Sequence, residues 1–264
     1  MARKLLIGCQ PRYYARVLVY TLGVEGPRHR VVFGSGAELS ARLAGDELDV
    51  ALIPSIDYFR RPGLMLIPDM SVTAQGAAGC GLLAARTGLG NLARVGVDPN
   101  EPALAAVAAI FLKENFGVVP EWVACLAADA EADETLDAWV TGAELGVPEP
   151  RGAVQVFDLG ELWWRLARLP FVYGVWACRA GAQLGGLDKD LVVAKRDGLR
   201  RAIEVAEVEA ARLGVDPELC MASVMRGFTY DLSRLELGGL QTFYRYAVRA
   251  GLVVDGVSMA TYRG

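Results

Sequence analysis

Residues 45–59 read GDELDVALIPSIDYF and join an apolar strand to the start of a helix. The run from Val50 to Ile53 is entirely apolar, as in strands that are buried on both faces. Pro54 ends that run, and Ser55 is a residue type that caps helices. Because the first N–H groups of a helix lack partners and carry the positive end of the helix dipole, a strand that stops at Ser55 predicts an anion-binding position. A helix cap without a ligand is the alternative interpretation of Ser55.

Apolar strands alternate with helical segments through the first two thirds of the chain, which predicts an α/β fold with a mostly parallel sheet. The last third predicts three amphipathic helices, at 188–213, 216–226 and 233–250, and a loose tail at 257–263. The other predicted strands cover residues 4–8, 30–34, 64–67, 79–86, 94–97, 121–125, 138–141, 154–158 and 169–178.

Two segments of the chain predict a second, inserted lobe. The glycine-bearing segment 86–90 follows a predicted strand and is suited to a crossover, and the apolar run 169–178 is suited to the return. We therefore expect one lobe from residues 1–86 plus 173–264, which includes the C-terminal helices, and a second lobe from residues 87–172. Two crossovers around a cleft are typical of hinged ligand-binding proteins.

Composition and charge exclude several classes of function. The 264 residues are 53% hydrophobic and carry a net charge of −4, which disfavours nucleic acid and anionic membranes as partners. The one histidine, His29, disfavours histidine metal sites and Ser-His-Asp catalysis. Five cysteines without CxxC spacing favour neither a disulfide framework nor a zinc site. We expect no metal and no cofactor, and an acidic substrate would have to be held by local donors.

The N-terminal sequence MARKLLIGCQ predicts a buried strand rather than a signal peptide. Only four residues separate Lys4 from Cys9, whereas a signal peptide needs an apolar region of roughly 7–15 residues. No apolar run in the chain reaches the ~18 residues of a membrane span. We therefore expect a cytoplasmic protein, and the sequence leaves open whether it is a monomer or a homodimer.

Polar side chains follow the first predicted strand and precede the strand at 79–86. The segment QPRYYAR at 10–16 offers Arg12, Tyr13, Tyr14 and Arg16 at a position where ligands commonly bind, and an arginine fork recognises carboxylates. A solvated basic turn is the alternative. The glycine-rich loop at 75–81 contains Gly79 and Cys80. Because glycine has no side chain, a ligand can approach the backbone of this loop closely. Cys80 is either a pocket thiol or a buried, inert cysteine.

Two more junctions carry candidate residues. Asp98-Pro-Asn-Glu-Pro102 precedes a helix predicted at 103–116, and capping by its own carboxylates is the favoured interpretation, with Asn100 as a further donor. Glu144 follows the strand at 138–141 and either faces the cleft or lies in a turn. As a carboxylate it is a candidate for proton transfer.

Several segments along the whole chain together match the pattern of a known family. They are Ile7-Gly8, Ala15-Arg16, Leu18-Val19-Tyr20, Glu38-Leu39 to Leu43, residues 45–58, Asp158-Leu159-Gly160 with Trp163, residues 169–177, Tyr230-Asp231-Leu232, and Gly239-Leu240 with Phe243. In these segments the chain resembles the chorismate dehydratase family of the futalosine route to menaquinone. The resemblance implies a two-lobe, class II periplasmic-binding-protein-like fold with a cleft between the lobes. It also implies a carbon–oxygen lyase that removes water from chorismate to give 3-(1-carboxyvinyloxy)benzoate.

The chain departs from the family pattern at four pocket motifs. The family asparagine of the first turn falls on Tyr14, and the family Arg-Ser becomes Gly79-Cys80. The family's Ser/Thr-rich strand-to-helix turn becomes residues 98–102, and its Gly-Asp-Ala becomes Gly142-Ala-Glu144. These departures predict either an enzyme with rearranged donors or a related fold with a changed ligand.

From the residues and the resemblance together we expect Cys80, Tyr14 and Glu144 in catalytic roles. We expect Arg16, Ser55, Asn100 and Gly79 to bind the substrate, a small dicarboxylate such as chorismate. A non-catalytic small-anion binding protein of the same fold is the alternative. A second alternative, the sister 1,4-dihydroxy-6-naphthoate synthase, is disfavoured because the chain lacks that family's N-terminal turn and site histidine.

Overall fold

The computed structural model describes residues 3–146 and 150–264 of the chain. Its strands are β1 (Leu5–Cys9), β2 (His29–Phe33), β3 (Val50–Pro54), β4 (Leu64–Ala74), β5 (Gly81–Ala85), β6 (Arg94–Val97), β7 (Glu121–Ala124), β8 (Ala138–Gly142), β9 (Gln155–Asp158) and β10 (Phe171–Arg179). Its helices are α1 (Tyr13–Arg16), α2 (Gly36–Ala44), α3 (Ser55–Arg60), α4 (Pro102–Phe116), α5 (Ala127–Ala132), α6 (Leu159–Ala167), α7 (Leu187–Arg200), α8 (Ala202–Leu213), α9 (Pro217–Ala222) and α10 (Arg234–Ala250).

The strands form two five-stranded sheets. The first sheet has the order β2-β1-β3-β10-β4 and the second has the order β7-β6-β8-β5-β9. In the first sheet β1 pairs in parallel with β2 and β3, while β10 is antiparallel to β3 and β4. In the second sheet β6 pairs in parallel with β7 and β8, while β5 is antiparallel to β8 and β9. Four strands of each sheet therefore share one direction, and the fifth is reversed. The reversed strands are β10 in the first sheet and β5 in the second. Each of them is the first strand that the chain forms after it crosses from the other sheet.

Residues 50–54 of the stretch 45–59 form β3, the central strand of the first sheet. β3 lies between β1 and β10 and is buried at every position, which explains its uninterrupted apolar sequence. Pro54 is accommodated at the end of the strand. The predicted strand at 50–53 is thus confirmed, together with the helix that begins at Ser55.

The chain passes between the sheets earlier than predicted. β4 ends at Ala74 in the first sheet and β5 begins at Gly81 in the second, so the crossover lies between these residues and not at 86–90. The return, from β9 through α6 to β10, lies where the apolar run predicts it. The lobe boundaries at 86/87 and 172/173 stay a prediction, and the strand pairing puts β5 with the strands of the inserted segment.

Helix ends follow their local capping signals. The Ser35 hydroxyl accepts a hydrogen bond from the Glu38 N–H at 3.2 Å and caps α2. Pro102 stands in the first turn of α4, and Gly117, with φ +68°, ends it in the left-handed region. The helix predicted at 103–116 is confirmed.

The single helix predicted at 188–213 is wrong. It is two helices, α7 and α8, with a break at Arg201. Gly198 of α7 lies so close to the Val17 carbonyl that a β-carbon would overlap it, whereas α8 packs against α9 and α1. The two halves have different partners, and Gly198, a residue with low helix propensity, lies three residues before the break.

The tail predicted to be loose is attached to β4. Leu66 donates its N–H to the Ala260 carbonyl at 2.8 Å and accepts from the Tyr262 N–H at 2.8 Å. The Tyr58 hydroxyl lies 3.0 Å from the Ala260 nitrogen, which donates to it. β4 itself extends seven residues beyond the predicted strand at 64–67, to Ala74. Backbone hydrogen bonds to β4 thus hold the C-terminal tail in place, which the composition of the tail does not predict.

The main hydrophobic core extends through both sheets, and a smaller separate cluster lies on the second sheet at Ala84, Ala130, Leu136 and Trp139. The main core includes Ile7 and Val50 of the first sheet and Val95 and Val140 of the second. The apolar α4 joins them, because it packs against α6 and β8 on one side and against α3 and α10 on the other. Among the helices of the described residues, none combines the length and apolar character that crossing a membrane requires.

Candidate functional site

An inner cavity lies where the carboxyl ends of β1, β3 and β6 approach each other between the sheets. It is lined by polar side chains from both sheets, with about 20 Å³ open to a water molecule, room for a single one. The reversed strand β10 begins at the same edge and contributes Tyr173 and Gly174. The polar and ionisable lining residues are Gln10, Tyr14, Cys80, Asn100, Glu101 and Tyr173.

An outer pocket of about 290 Å³ adjoins the inner cavity. The two share Gln10, Asn100 and Glu101, so they are continuous along one side of the cleft. The outer pocket is lined by charged side chains and by the N-terminal end of α2 at Ser35. A ligand too large for the inner cavity would occupy both spaces.

Aromatic rings form the back wall of the inner cavity. The Tyr14 ring packs on Phe228 with centroids 4.6 Å apart, and Tyr173 lies edge-on to Phe228 at 6.2 Å. The Tyr173 hydroxyl is buried and has no hydrogen-bond partner among the described residues. Burial, reinforced by the neighbouring Cys80, raises the pKa of both tyrosines well above the usual value. They are therefore neutral hydroxyl donors at physiological pH.

Cys80 lies between these tyrosines and the loop that enters β5. Its side chain is buried, and burial together with the nearby Asp158 raises the pKa of the thiol. The sulfur is thus a neutral thiol and a weak donor, not a thiolate nucleophile. The sequence analysis left open whether Cys80 is a pocket thiol, and the structure places it in the cavity wall.

Asp158 holds the loop that carries Gly79 and Cys80. Its carboxylate accepts from the N–H groups of Ala78 at 3.2 Å, Gly79 at 2.7 Å and Glu161 at 3.0 Å. The last of these bonds caps α6. Gly79 has φ +66°, a conformation that favours glycine, but it lines neither the inner cavity nor the outer pocket. Its contribution is the turn that brings Cys80 to the cavity.

A chain of ion pairs crosses the mouth of the cleft. Arg12, at the start of α1, pairs with Glu101 and lies 3.8 Å from Glu144. Arg212 donates to Glu144 at 3.0 Å and to Glu209 at 2.7 Å. Since Arg12 and Arg212 flank the first sheet and the two glutamates Glu101 and Glu144 follow strands of the second, these pairs join the two sides of the cleft.

Glu101 is the one charged residue lining the inner cavity within the described ranges 3–146 and 150–264. Burial raises the pKa of its carboxyl group, and the attraction of Arg12 opposes that rise without cancelling it. Glu101 stands at the N-cap position of α4, yet its side chain makes no capping hydrogen bond. The capping interpretation of this residue is therefore wrong, and its carboxylate is directed to Arg12 instead.

The structure brings together only some of the residues predicted from the sequence. Tyr14, Cys80 and Asn100 line the inner cavity, and Glu144 lines the outer pocket. Asn100 is also tied locally, because its N–H and amide group donate to Asp98 at 2.8 and 3.0 Å.

Ser55 and Arg16 line neither space. Ser55 is fully buried, with its hydroxyl unpaired among the described residues, and the preceding Pro54 is the residue that reaches the cavity wall. Arg16 lies over the Phe33 ring at 4.4 Å and 3.6 Å from Glu209. Their roles as ligand contacts stay predictions.

Sequence reasoning missed Gln10, Glu101 and Tyr173 as site residues. Glu101 carries a detectable signal, since it lies at a strand-to-helix junction where ligands commonly bind. Tyr173 is indistinguishable in sequence from the core aromatics beside it. No cluster of three or more histidine, cysteine or acidic side chains suited to a metal occurs within the part of the chain that the structure describes.

The comparisons with known proteins agree with this architecture. A family described as menaquinone biosynthesis matches residues 5–249 of the chain. The chorismate dehydratase of Thermus thermophilus is 33% identical over 253 residues, covering 88% of this chain and 92% of that protein.

Two solved structures show the same fold at low sequence identity. A protein from Archaeoglobus fulgidus superposes with a TM-score of 0.74 at 18% identity, over 95% of this chain and 98% of that one. The alkanesulfonate-binding protein SsuA from Xanthomonas axonopodis pv. citri gives 0.64 at 13% identity, over 96% of each chain. The fold is thus that of the periplasmic binding proteins, with two lobes and a cleft between them. Because the family match spans most of the chain and the Thermus relative is similar along nearly its whole length, the chain belongs to the menaquinone biosynthesis family.

Proposed function

We propose that the protein is a chorismate dehydratase, a hydro-lyase that converts chorismate to 3-(1-carboxyvinyloxy)benzoate and water. The observation that carries the proposal is the family membership, with a chorismate dehydratase as a relative at 33% identity. The site supports it, since a cavity with room for about one water molecule is lined by neutral hydroxyl, thiol and amide donors and one carboxylate.

The reaction makes modest demands on the protein. One ring C–H bond and one C–O bond break, the C–H electron pair becomes part of the new aromatic ring, and the proton and hydroxide leave as water. Aromatisation supplies the driving force, so the site has to orient the hydroxyl, hold the carboxylates and exclude solvent. The hydroxyls of Tyr14 and Tyr173 and the thiol of Cys80 are donors in the inner cavity that can orient the substrate, together with the side-chain amides of Gln10 and Asn100.

Glu101 is better placed than Glu144 to take the ring proton. It lines the inner cavity, whereas Glu144 lines the outer pocket and is held between Arg12 and Arg212. A carboxyl group whose pKa is raised by burial is also a stronger base. In this proposal Glu101 receives the proton and returns it to the departing hydroxyl, which regenerates the carboxylate and releases water.

The remaining predicted residues take supporting roles in the proposal. Asn100 contacts the substrate from the second sheet, and Gly79 shapes the loop that presents Cys80. Ser55 and Arg16 support the first sheet behind the cavity rather than touching the substrate. The cytoplasmic location stays a prediction.

Incubation of the purified protein with chorismate tests the function. We expect an aromatic product, followed by absorbance, whose mass is lower than that of chorismate by one water. A control without protein measures spontaneous breakdown. Thermal stabilisation by chorismate without product would contradict the lyase and favour a small-anion binding protein of the same fold.

Two glutamine variants test the assignment of the base. We expect Glu101→Gln to lower kcat about 100- to 10,000-fold, the usual contribution of general acid–base catalysis. Glu144→Gln serves as the matched control on the same ion-pair chain, and we expect its kcat to stay within about tenfold of the wild type because it lies outside the inner cavity. The reverse order of effects would move the base to Glu144.

A further inference from the structure

We propose that Arg12 receives a carboxylate of the substrate, and that Glu101 occupies this arginine in the closed cleft and is displaced when the substrate binds. The proposal deepens the proposed function, on which it rests for the class of ligand, a small cyclic dicarboxylate. The sequence offers Arg12 and Arg16 alike, and the pairing with Glu101 is what distinguishes Arg12 as the arginine that receives the substrate.

The argument begins with the charge of the site. Among the described residues, the charged side chains that line the inner cavity and the outer pocket are Arg12, Arg212, Asp98, Glu101 and Glu144. Carboxylates outnumber guanidinium groups, and both guanidinium groups are already paired. A dicarboxylate that entered this arrangement unchanged would be repelled, so one of the arginines has to exchange its partner.

Arg12 is the arginine that can exchange. Arg212 is fixed by two close carboxylates, Glu209 at 2.7 Å and Glu144 at 3.0 Å. Among the residues that the structure describes, Arg12 has one close carboxylate, Glu101, and a second, Glu144, at 3.8 Å. Once Glu101 leaves, most of the Arg12 fork is available, and this fork is suited to bidentate carboxylate binding.

The position of Glu101 makes its departure part of cleft opening. Arg12 precedes α1 on the first sheet, and Glu101 precedes α4 at the end of β6 in the second sheet. The inner cavity holds about one water molecule, so a cyclic dicarboxylate can enter only when the two sides separate. That separation breaks the Arg12–Glu101 pair and leaves the guanidinium group free to bind the ligand.

Binding of isophthalate (benzene-1,3-dicarboxylate), measured by titration calorimetry, tests the proposal without requiring turnover. We expect Glu101→Gln to bind isophthalate about tenfold more tightly than the wild type, because the competitor for Arg12 is removed. We expect Arg12→Gln to bind it at least about tenfold more weakly. Arg12→Lys, which keeps the charge but loses the fork, should fall between the wild type and Arg12→Gln.

Glu114→Gln is the matched control. Glu114 lies on the same helix, its side chain is 16% exposed against 19% for Glu101, and it pairs with Arg249 at 2.6 Å. It lines neither the inner cavity nor the outer pocket, so we expect no change in isophthalate affinity. Thermal unfolding of each variant shows whether it is folded.

Unchanged or weaker binding by a folded Glu101→Gln, or unchanged binding by Arg12→Lys and Arg12→Gln, overturns the proposal. These outcomes are separate from the proposed function. A protein that converts chorismate but shows no effect of Glu101→Gln on isophthalate keeps the lyase activity and loses this inference. A protein that does not convert chorismate but shows the predicted affinity changes keeps the inference as a property of an anion-binding cleft.

Discussion

At the scale of single residues, two opposing influences act on the pKa of the Glu101 carboxyl group, burial in the protein interior and the positive charge of Arg12. Burial raises the pKa of its carboxyl group above the usual value of 4.5, and Arg12 opposes the rise. The folded protein therefore keeps this proton at pH values where the unfolded chain has released it. In that window the free energy of unfolding falls as the pH rises, because the folded state binds more protons than the unfolded state.

This predicts a pH-dependent difference between the wild type and Glu101→Gln. As the pH rises from about 4.5, through the raised pKa of Glu101, we expect wild-type stability to fall relative to that of the variant. Urea unfolding of both proteins over a pH series that begins at about 4.5, the ordinary value for a glutamate, and extends upwards measures the difference. A wild type that gains stability relative to the variant as the pH rises would mean that the pairing with Arg12 outweighs burial.

At the scale of elements, α10 contains two adjacent glycines with opposite surroundings. The helix begins with a capping box, in which the Glu236 carboxylate accepts from the Ser233 N–H at 3.0 Å. A β-carbon on Gly238 would meet no atom, whereas one on Gly239 would overlap the carbonyl oxygen of Pro170, just before β10. Gly239 therefore sets how closely α10 approaches the strand that returns to the first sheet.

We expect opposite effects of alanine at these two positions. Gly238→Ala should stabilise the protein by about 0.5–1 kcal/mol, since alanine has less backbone entropy to lose in a helix. Gly239→Ala should destabilise it by about 1–3 kcal/mol, because α10 or Pro170 has to shift. Chemical denaturation measures both, and equal effects at the two positions would contradict the close packing of α10 on this segment.

At the scale of the whole molecule, two sheets share one core. The continuous cluster includes residues of both sheets, and α4 packs against elements on each side. The far end of α4 is fastened to α10, because Lys113 donates to the Arg249 carbonyl at 2.8 Å and Glu114 pairs with Arg249. Opening of the cleft at Arg12 and Glu101 would thus pivot about the opposite end of α4.

The shared core predicts cooperative unfolding. We expect a single calorimetric transition in which the van 't Hoff enthalpy equals the calorimetric enthalpy, although the chain exceeds the size at which this is usual. Scanning calorimetry with a check of reversibility measures both enthalpies. Two resolved transitions, or a van 't Hoff enthalpy well below the calorimetric value, would show that the sheets unfold independently.

Much of the architecture is readable from local sequence. Strand β3, the capped helices α2 and α4, and the return at β10 follow from apolar runs and capping residues, since each signal acts within a few residues. The helix break at Arg201 and the attachment of the tail to β4 are not readable, because they depend on Val17 and Leu66, which are distant in sequence.

The sequence by itself determined the α/β class, the two lobes and the family, since periodicity, capping and motif spacing are properties of neighbouring residues. Only the tertiary structure decided the composition of the site. It placed Pro54 rather than Ser55 at the cavity, and it paired Arg12 with Glu101, 89 positions apart in the chain. Strand ends show where a ligand can bind, but the packing of the two sheets determines which side chains meet there.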